Sequence, residues 1–197
     1  MNNLLMMNEL LDAWFGAPGS SCFGQAQKQW FRRDAEFDAM LAARFGTAIE
    51  RTLAGEFAHW SSEPLGALAQ IVLLDQLPRN CFRGTPRAFV GDPLALPLAR
   101  MLVATGADRM LPTIHHRAFA YLPFEHDESL DSQREAVRLF TGLDEQVSDG
   151  ADHGYLRSAI RHAEVIERFG RFPHRNAVLG RDTTAQEAVW LRRHGGF

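Results

Sequence analysis

A chain of 197 residues that is 46% hydrophobic and 23% charged can bury one substantial core, and its composition excludes the disordered, fibrous and membrane-embedded classes. The formal net charge of −3 gives no electrostatic argument for nucleic acid, and the two cysteines, Cys22 and Cys81, lie outside any CxxC pattern, so neither a disulfide scaffold nor a thiolate zinc site is indicated. The expectation is a single all-helical domain over 1–197, cytoplasmic, with two reduced, buried thiols and no cofactor, membrane or nucleic-acid partner. No apolar run approaches the roughly 20 residues of a membrane span, and Met1 to Leu11 lacks the basic start and small-residue cleavage site of a secretory signal.

In chain order, apolar positions from Leu4 to Trp14 keep helical spacing until Phe15-Gly16-Ala17-Pro18-Gly19 stops them. Trp30, Phe31, Phe37, Met40, Leu41 and Phe45 predict a second helix, with Asp34 as N-cap and Gly46 as stop; Ile49 to Trp60 predicts a shorter one interrupted by Gly55. Ser62-Glu63-Pro64 opens a helix that is apolar on nearly every side from Leu65 to Leu77 and ends at Pro78. Asp75 shares a face with Ile71 and Val72, so its carboxylate is predicted to be buried and to need a cation or several donors.

Gly84-Thr85-Pro86 and Gly91-Asp92-Pro93 each signal a turn into a helix, the second bent or starting late because of Pro97. A further helix from about Leu111 to Tyr121 meets Pro123, and Ser129 is placed to cap the next. From Asp152 onward, Tyr155, Ala159, His162, Ile166 and Phe169 form one stripe, which sets His162 on an apolar face. Thr183 with Gln186, or Thr184 with Glu187, makes a capping box for the last helix. With no convincing strand, the fold is all-α, about eight to ten helices joined by short turns as helical pairs in an array or as a compact bundle. The roughly 34-residue tetratricopeptide consensus is not repeated.

One C-terminal stretch stands apart. Phe169-Gly170-Arg171-Phe172-Pro173-His174-Arg175-Asn176, continuing to Gly180-Arg181, mixes arginines, a histidine and an amide with two phenylalanines. Pro173 and the two glycines oppose helix there, so the stretch is predicted to be an ordered, non-helical segment packed onto the helical body, whose guanidiniums need acceptors.

This stretch, together with Leu73-Leu74-Asp75-Gln76-Leu77-Pro78-Arg79-Asn80 followed by Arg83-Gly84-Thr85-Pro86, Tyr121-Leu122-Pro123-Phe124-Glu125-His126 and Trp14-Phe15-Gly16, resembles the bacterial domain-of-unknown-function family 924. The resemblance spans nearly the whole chain and implies a tetratricopeptide-like all-helical fold, without implying a reaction. The family usually has Ser before the Glu that follows Phe124-Glu125-His126; Asp127 stands there in this chain.

The polar residues without an obvious local role fall into three groups: Asp75, Gln76, Arg79 and Asn80; Glu125, His126 and Glu128; and His162, Arg171, His174, Arg175, Asn176 and Arg181. Each group borders an apolar helix end or a proline turn. One reading is a binding module whose groove holds an anionic small molecule or acidic peptide, since arginine's planar fork suits phosphate and carboxylate. A second is a hydrolase-like enzyme with His126 or His162 as general base, oriented by Glu125 or Glu128, although no nucleophile or nucleotide-binding motif accompanies them. A third assembles Glu125, His126, His162 and His174 around a metal, without the HExxH or HxxxH spacing that would support it. The last is a structural salt-bridge network in an interaction protein, which exposed aromatic surface at Trp14-Phe15 or Trp30-Phe31 would favour. His115, His116, His153 and His194 are expected at the solvated surface.

Overall fold

The computed structural model of the chain describes residues 3–147 and 153–196. Met1, where the segment lacking secretory-signal features begins, and Asp152, from which the helix carrying His162 is expected, lie outside the described residues. The regular elements of the described residues are all helices, with no strand. The helices are α1 (Asn3–Phe15), α2 (Ala35–Leu53), α3 (Pro64–Ile71), α4 (Leu77–Cys81), α5 (Asp92–Thr105), α6 (Ile114–His126), α7 (Leu130–Asp144), α8 (Tyr155–Phe169) and α9 (Ala185–His194). Because α3 runs without a break through a π-helical turn, Val72–Gln76, into α4, they amount to eight continuous rods. Short 3-10 turns lie between several of them.

The chain divides into two compact units. The first holds the residues up to Arg83 together with Arg87–Pro123; the second holds Gly84–Pro86 and the chain from Phe124 onward.

In the first unit, Asp34 caps α2 as expected, its carboxylate accepting the N–H groups of Glu36 and Phe37 at 3.1 and 3.0 Å. Gly46 does not stop α2. Leu41, Phe45, Ala48, Ile49 and Thr52 are all buried on one side, so the packed face carries the helix past a residue whose intrinsic cost is only about 1 kcal/mol. The helix expected over Ile49 to Trp60 is therefore the end of α2 followed by a 3-10 turn, Ala58–Ser62. Ser62 lies in that turn and its hydroxyl donates to His59 O, leaving Glu63 at the N-cap of α3.

Pro78 likewise fails to end its helix. A proline ring clashes with the carbonyl four residues back, here that of Leu74, and the chain inserts a π turn at that point, with Leu77 N–H bonding Val72 O. Gly91 then packs directly on the Leu74 carbonyl, where a Cβ would come within 2.1 Å of the oxygen. α5 starts at Asp92 without delay and contains Pro97. One stretch among the described residues, Pro86–Thr105, is long and apolar enough to cross a membrane by length and composition, a run that the sequence pattern did not single out.

An aromatic core closes the first unit. Trp14, Phe15, Trp30 and Phe119 are buried and pack edge to face. His115 and His116, expected at the surface, are only 2% and 3% exposed. His116 stacks on Phe15 at 4.0 Å and shares a hydrogen bond with Thr113 Oγ1, and burial, then the neighbouring His115, lower its pKa to about 4. Cys22 is exposed rather than buried, and Cys81 is half-buried.

In the second unit α7 and α8 pack along each other, with Phe140 stacked on Tyr155 at 5.9 Å. Val165, Ile166, Phe172 and Trp190 form an apolar cluster with Phe169 and Leu191 against it. α6 continues through Pro123 to His126 rather than stopping at Tyr121. Beyond Pro123, the fully buried Gln133 of α7 donates its amide to the carbonyls of Phe124, Glu125 and Asp127 at 3.3, 2.7 and 2.7 Å, closing the orphan end of the helix. Ser129 sits at the N-cap of α7 without a side-chain cap bond. Thr184 and Glu187 form the capping box of α9.

Candidate functional site

The C-terminal stretch is built by the residues that oppose helix. Gly170, at φ +67°, takes the left-handed conformation that ends α8, its N–H bonding Ile166 O at 2.8 Å. Phe172 is extended, as a residue before proline must be, and Pro173–Arg175 makes one 3-10 turn. The stretch is ordered by its own backbone bonds, Leu179 N–H to Arg175 O at 2.9 Å and Arg181 N–H to Asn176 O at 2.8 Å among them.

Glu128 and Arg181 clamp it in place. The Arg181 fork donates to both oxygens of Glu128 at 2.6 and 3.0 Å, and its remaining donors reach Phe172 O and Asn176 Oδ1, each at 3.0 Å. Glu128 also accepts the Phe172 N–H at 2.7 Å. Burial would raise the Glu128 pKa, but the hydrogen bonds from Arg181 and Phe172 and the charges of Arg181 and Arg175 outweigh it and hold it below the ordinary carboxylate value. Asn176, fully buried, passes its amide on to Thr183.

Arg171 serves a different carboxylate. It donates to the two oxygens of Glu187 at 2.7 and 2.9 Å and to Asp182 O at 2.8 Å. The hydrogen bond from Arg171 is the largest cause that brings the Glu187 pKa down to about 2. Glu187 thus joins the capping box of α9 to the stretch that follows α8.

With its backbone held by this clamp, the buried Phe172 ring becomes a hub for basic side chains. The Arg175 guanidinium lies 4.6 Å over its centroid, the His162 ring meets it edge-on at 5.4 Å, and the His174 ring is tilted at 5.7 Å. His126 stands 6.4 Å from His162. Arg175 and His162 are 7% and 6% exposed, while His126 and His174 are half-buried. Beneath them Glu125, 2% exposed, accepts the Ser158 hydroxyl at 2.9 Å and lies 3.0 Å from His162 Nδ1.

His162 Nδ1 also lies 2.9 Å from the carbonyl oxygen of Ser158, which can only accept, so that nitrogen carries the proton. Burial, followed by the charges of His126, His174 and Arg175, pushes the His162 pKa down to about 3 against the support of the Ser158 carbonyl. The imidazole is neutral near pH 7 and a poor general base, and the Ser158 proton is directed at Glu125. The geometry at His162 is that of a buried hydrogen-bond cluster rather than an activated nucleophile. Among the described residues no group of three or more His, Cys, Asp or Glu is arranged to hold a metal ion.

The first polar group forms a cluster of its own in the first unit. Asp75, fully buried, accepts from Gln76 and pairs with Arg79 at 3.0 Å. Arg79 spans Asp92 with both ends of its fork at 2.8 and 2.9 Å and also donates to Asp75 O. Asn80 and Arg83 share Asp38, which they hold below the ordinary carboxylate value against the effect of burial.

Sequence reasoning brought neither Ser158, Asp92 nor Asp38 into these clusters, and it knew Glu187 only as a cap. Ser158 alone left a signal, four residues before His162 on the same helical face. Asp127, the residue that departs from the resembled pattern, accepts the Ser132 hydroxyl at 2.6 Å and so acts within the turn before α7.

The family described as bacterial protein of unknown function (DUF924) matches residues 10–195. The chain belongs to the DUF924 family. A solved structure of a protein of unknown function from Agrobacterium tumefaciens is similar to this DUF924 chain, with 35% identity and a TM-score of 0.84, covering 98% of this chain and 99% of that one. No curated protein matches. Membership therefore fixes the kind of fold and brings no reaction with it.

Proposed function

We propose that this DUF924 chain is a binding module that takes a small anion bearing phosphate or carboxylate groups, held by Arg175 and His174 against Phe172 and by His126 beside His162. The observation that supports it is the gathering of basic side chains about one buried ring. The Arg175 guanidinium and the rings of His162 and His174 meet Phe172, and His126 adjoins His162. Basic groups packed this closely repel one another when charged, and a bound anion relieves that repulsion. Two of the imidazoles are half-buried, so a ligand has a way in.

Thermal denaturation with inorganic phosphate or citrate, against sodium chloride at equal ionic strength, tests this. A rise in Tm that Arg175→Gln and His174→Gln abolish, and that Arg171→Gln retains, is the expected result. No rise with either anion, or a rise that survives Arg175→Gln, would overturn it.

A further inference from the structure

The segment Lys28-Gln29-Trp30-Phe31-Arg32-Arg33 of the first unit plays no part in the anion site. Trp30 anchors it, 5% exposed, with its indole N–H donating to Trp14 O at 2.8 Å and its ring edge on Phe119 at 4.8 Å. The chain leaves this anchor through a short 3-10 turn, Lys28–Trp30, and the next side chain emerges at the surface. Phe31 is 62% exposed, yet its ring is held parallel to the buried Phe119, at 8° and 5.9 Å between centroids. Lys28, Arg32 and Arg33 lie on either side of it, all three exposed, and none of them makes an ion pair among the described residues.

We propose that Phe31 with Lys28, Arg32 and Arg33 is a docking surface for a short acidic peptide segment carrying one aromatic side chain. That side chain stacks on the outer face of Phe31, and the flanking carboxylates meet the three cations. A ring already fixed against Phe119 loses little freedom when covered, and cations outside any ion pair provide the charge complementarity. Exposed Asp34 and Glu36 follow directly and repel any anionic chain that runs on past Arg33, so a short segment fits and a continuing nucleic-acid backbone does not. A lipid surface is disfavoured because the ring lies flat on the protein rather than projecting for insertion.

Fluorescence anisotropy with a labelled short peptide of Asp and Glu around a single Trp tests the proposal on the full chain. Saturable binding is expected, weakened roughly tenfold by Phe31→Ala or by replacing the peptide's Trp with Ala, and weakened further by added salt. The pair Arg32→Gln and Arg33→Gln, which leaves Phe31 and its packing intact, weakens it independently, with the melting curve as control for folding. Absence of saturable binding, binding indifferent to these variants, or oligothymidylate binding through Phe31 without peptide binding would each overturn the assignment.

Discussion

Arg181→Ala removes the donor that ties Glu128, just before α7, to the stretch after α8. Four hydrogen bonds are lost, two to Glu128 and one each to Asn176 Oδ1 and Phe172 O. Breaking a fully buried pair costs roughly 3–5 kcal/mol. The Glu128 and Arg181 side chains are 26% and 24% exposed, so water recovers part of that for Glu128. Asn176, however, is 0% exposed, and its orphaned oxygen adds about 1–3 kcal/mol. The expected loss is about 3 kcal/mol in urea denaturation, or roughly 6–12 °C in Tm for a chain of this size. The loss depends on pH with a definite sign. Because the folded state holds the Glu128 pKa below its ordinary value of 4.5, the stabilisation is complete above pH 4.5 and disappears as pH falls through the folded value. The gap between native protein and variant must therefore narrow in acid. Hydrogen exchange at the Phe172 amide, which Glu128 caps, should accelerate in the variant. A loss below about 0.5 kcal/mol, or a gap that stays constant through the carboxylate range, would refute the reasoning.

Protonating His162 requires charging a buried imidazole whose pKa has fallen from 6.5 to about 3, so the unfolded chain binds the extra proton between those values. Stability is expected to be flat above pH 6.5 and to decline below it, by an amount on the order of a few kcal/mol by pH 3; His162→Gln should flatten that decline in an acid titration followed by circular dichroism. Gly91→Ala puts a methyl 2.1 Å from the Leu74 carbonyl oxygen and should destabilise by about 1–3 kcal/mol. Gly142→Ala, inside α7 with nothing within 4 Å of the new methyl, should stabilise by roughly 0.5–1 kcal/mol, and paired melts compare the two. Arg79→Met removes the cation beside the fully buried Asp75 carboxylate, and a loss of roughly 3–5 kcal/mol is expected in urea denaturation.

What the sequence made legible is local. The caps at Asp34 and at Thr184 with Glu187, the burial of Asp75 and the apolar setting of His162 all follow from spacing along one helix. Signals judged one residue at a time failed where packing decided. Gly46, Pro78 and Pro123 oppose helix intrinsically, but each lies in a rod whose packed face or altered turn carries it onward. His115 and His116 looked like surface residues because adjacent histidines share no face; the aromatic core takes both. Pairings such as Glu128 with Arg181, 53 residues apart, were not legible, since nothing in the sequence ranks one carboxylate above another as an arginine's partner. It was legible that the guanidiniums of the stretch would need acceptors, and it was not legible that Arg171 and Arg181 would find theirs so near.

The most direct test of the central claim follows the histidine ring signals by NMR during titration with inorganic phosphate, in the native protein and in Arg175→Gln. Saturable shifts are expected at His126 and His174, absent in the variant while its melting temperature is retained. Ring signals that do not move with phosphate, or that move equally in Arg175→Gln, would contradict it.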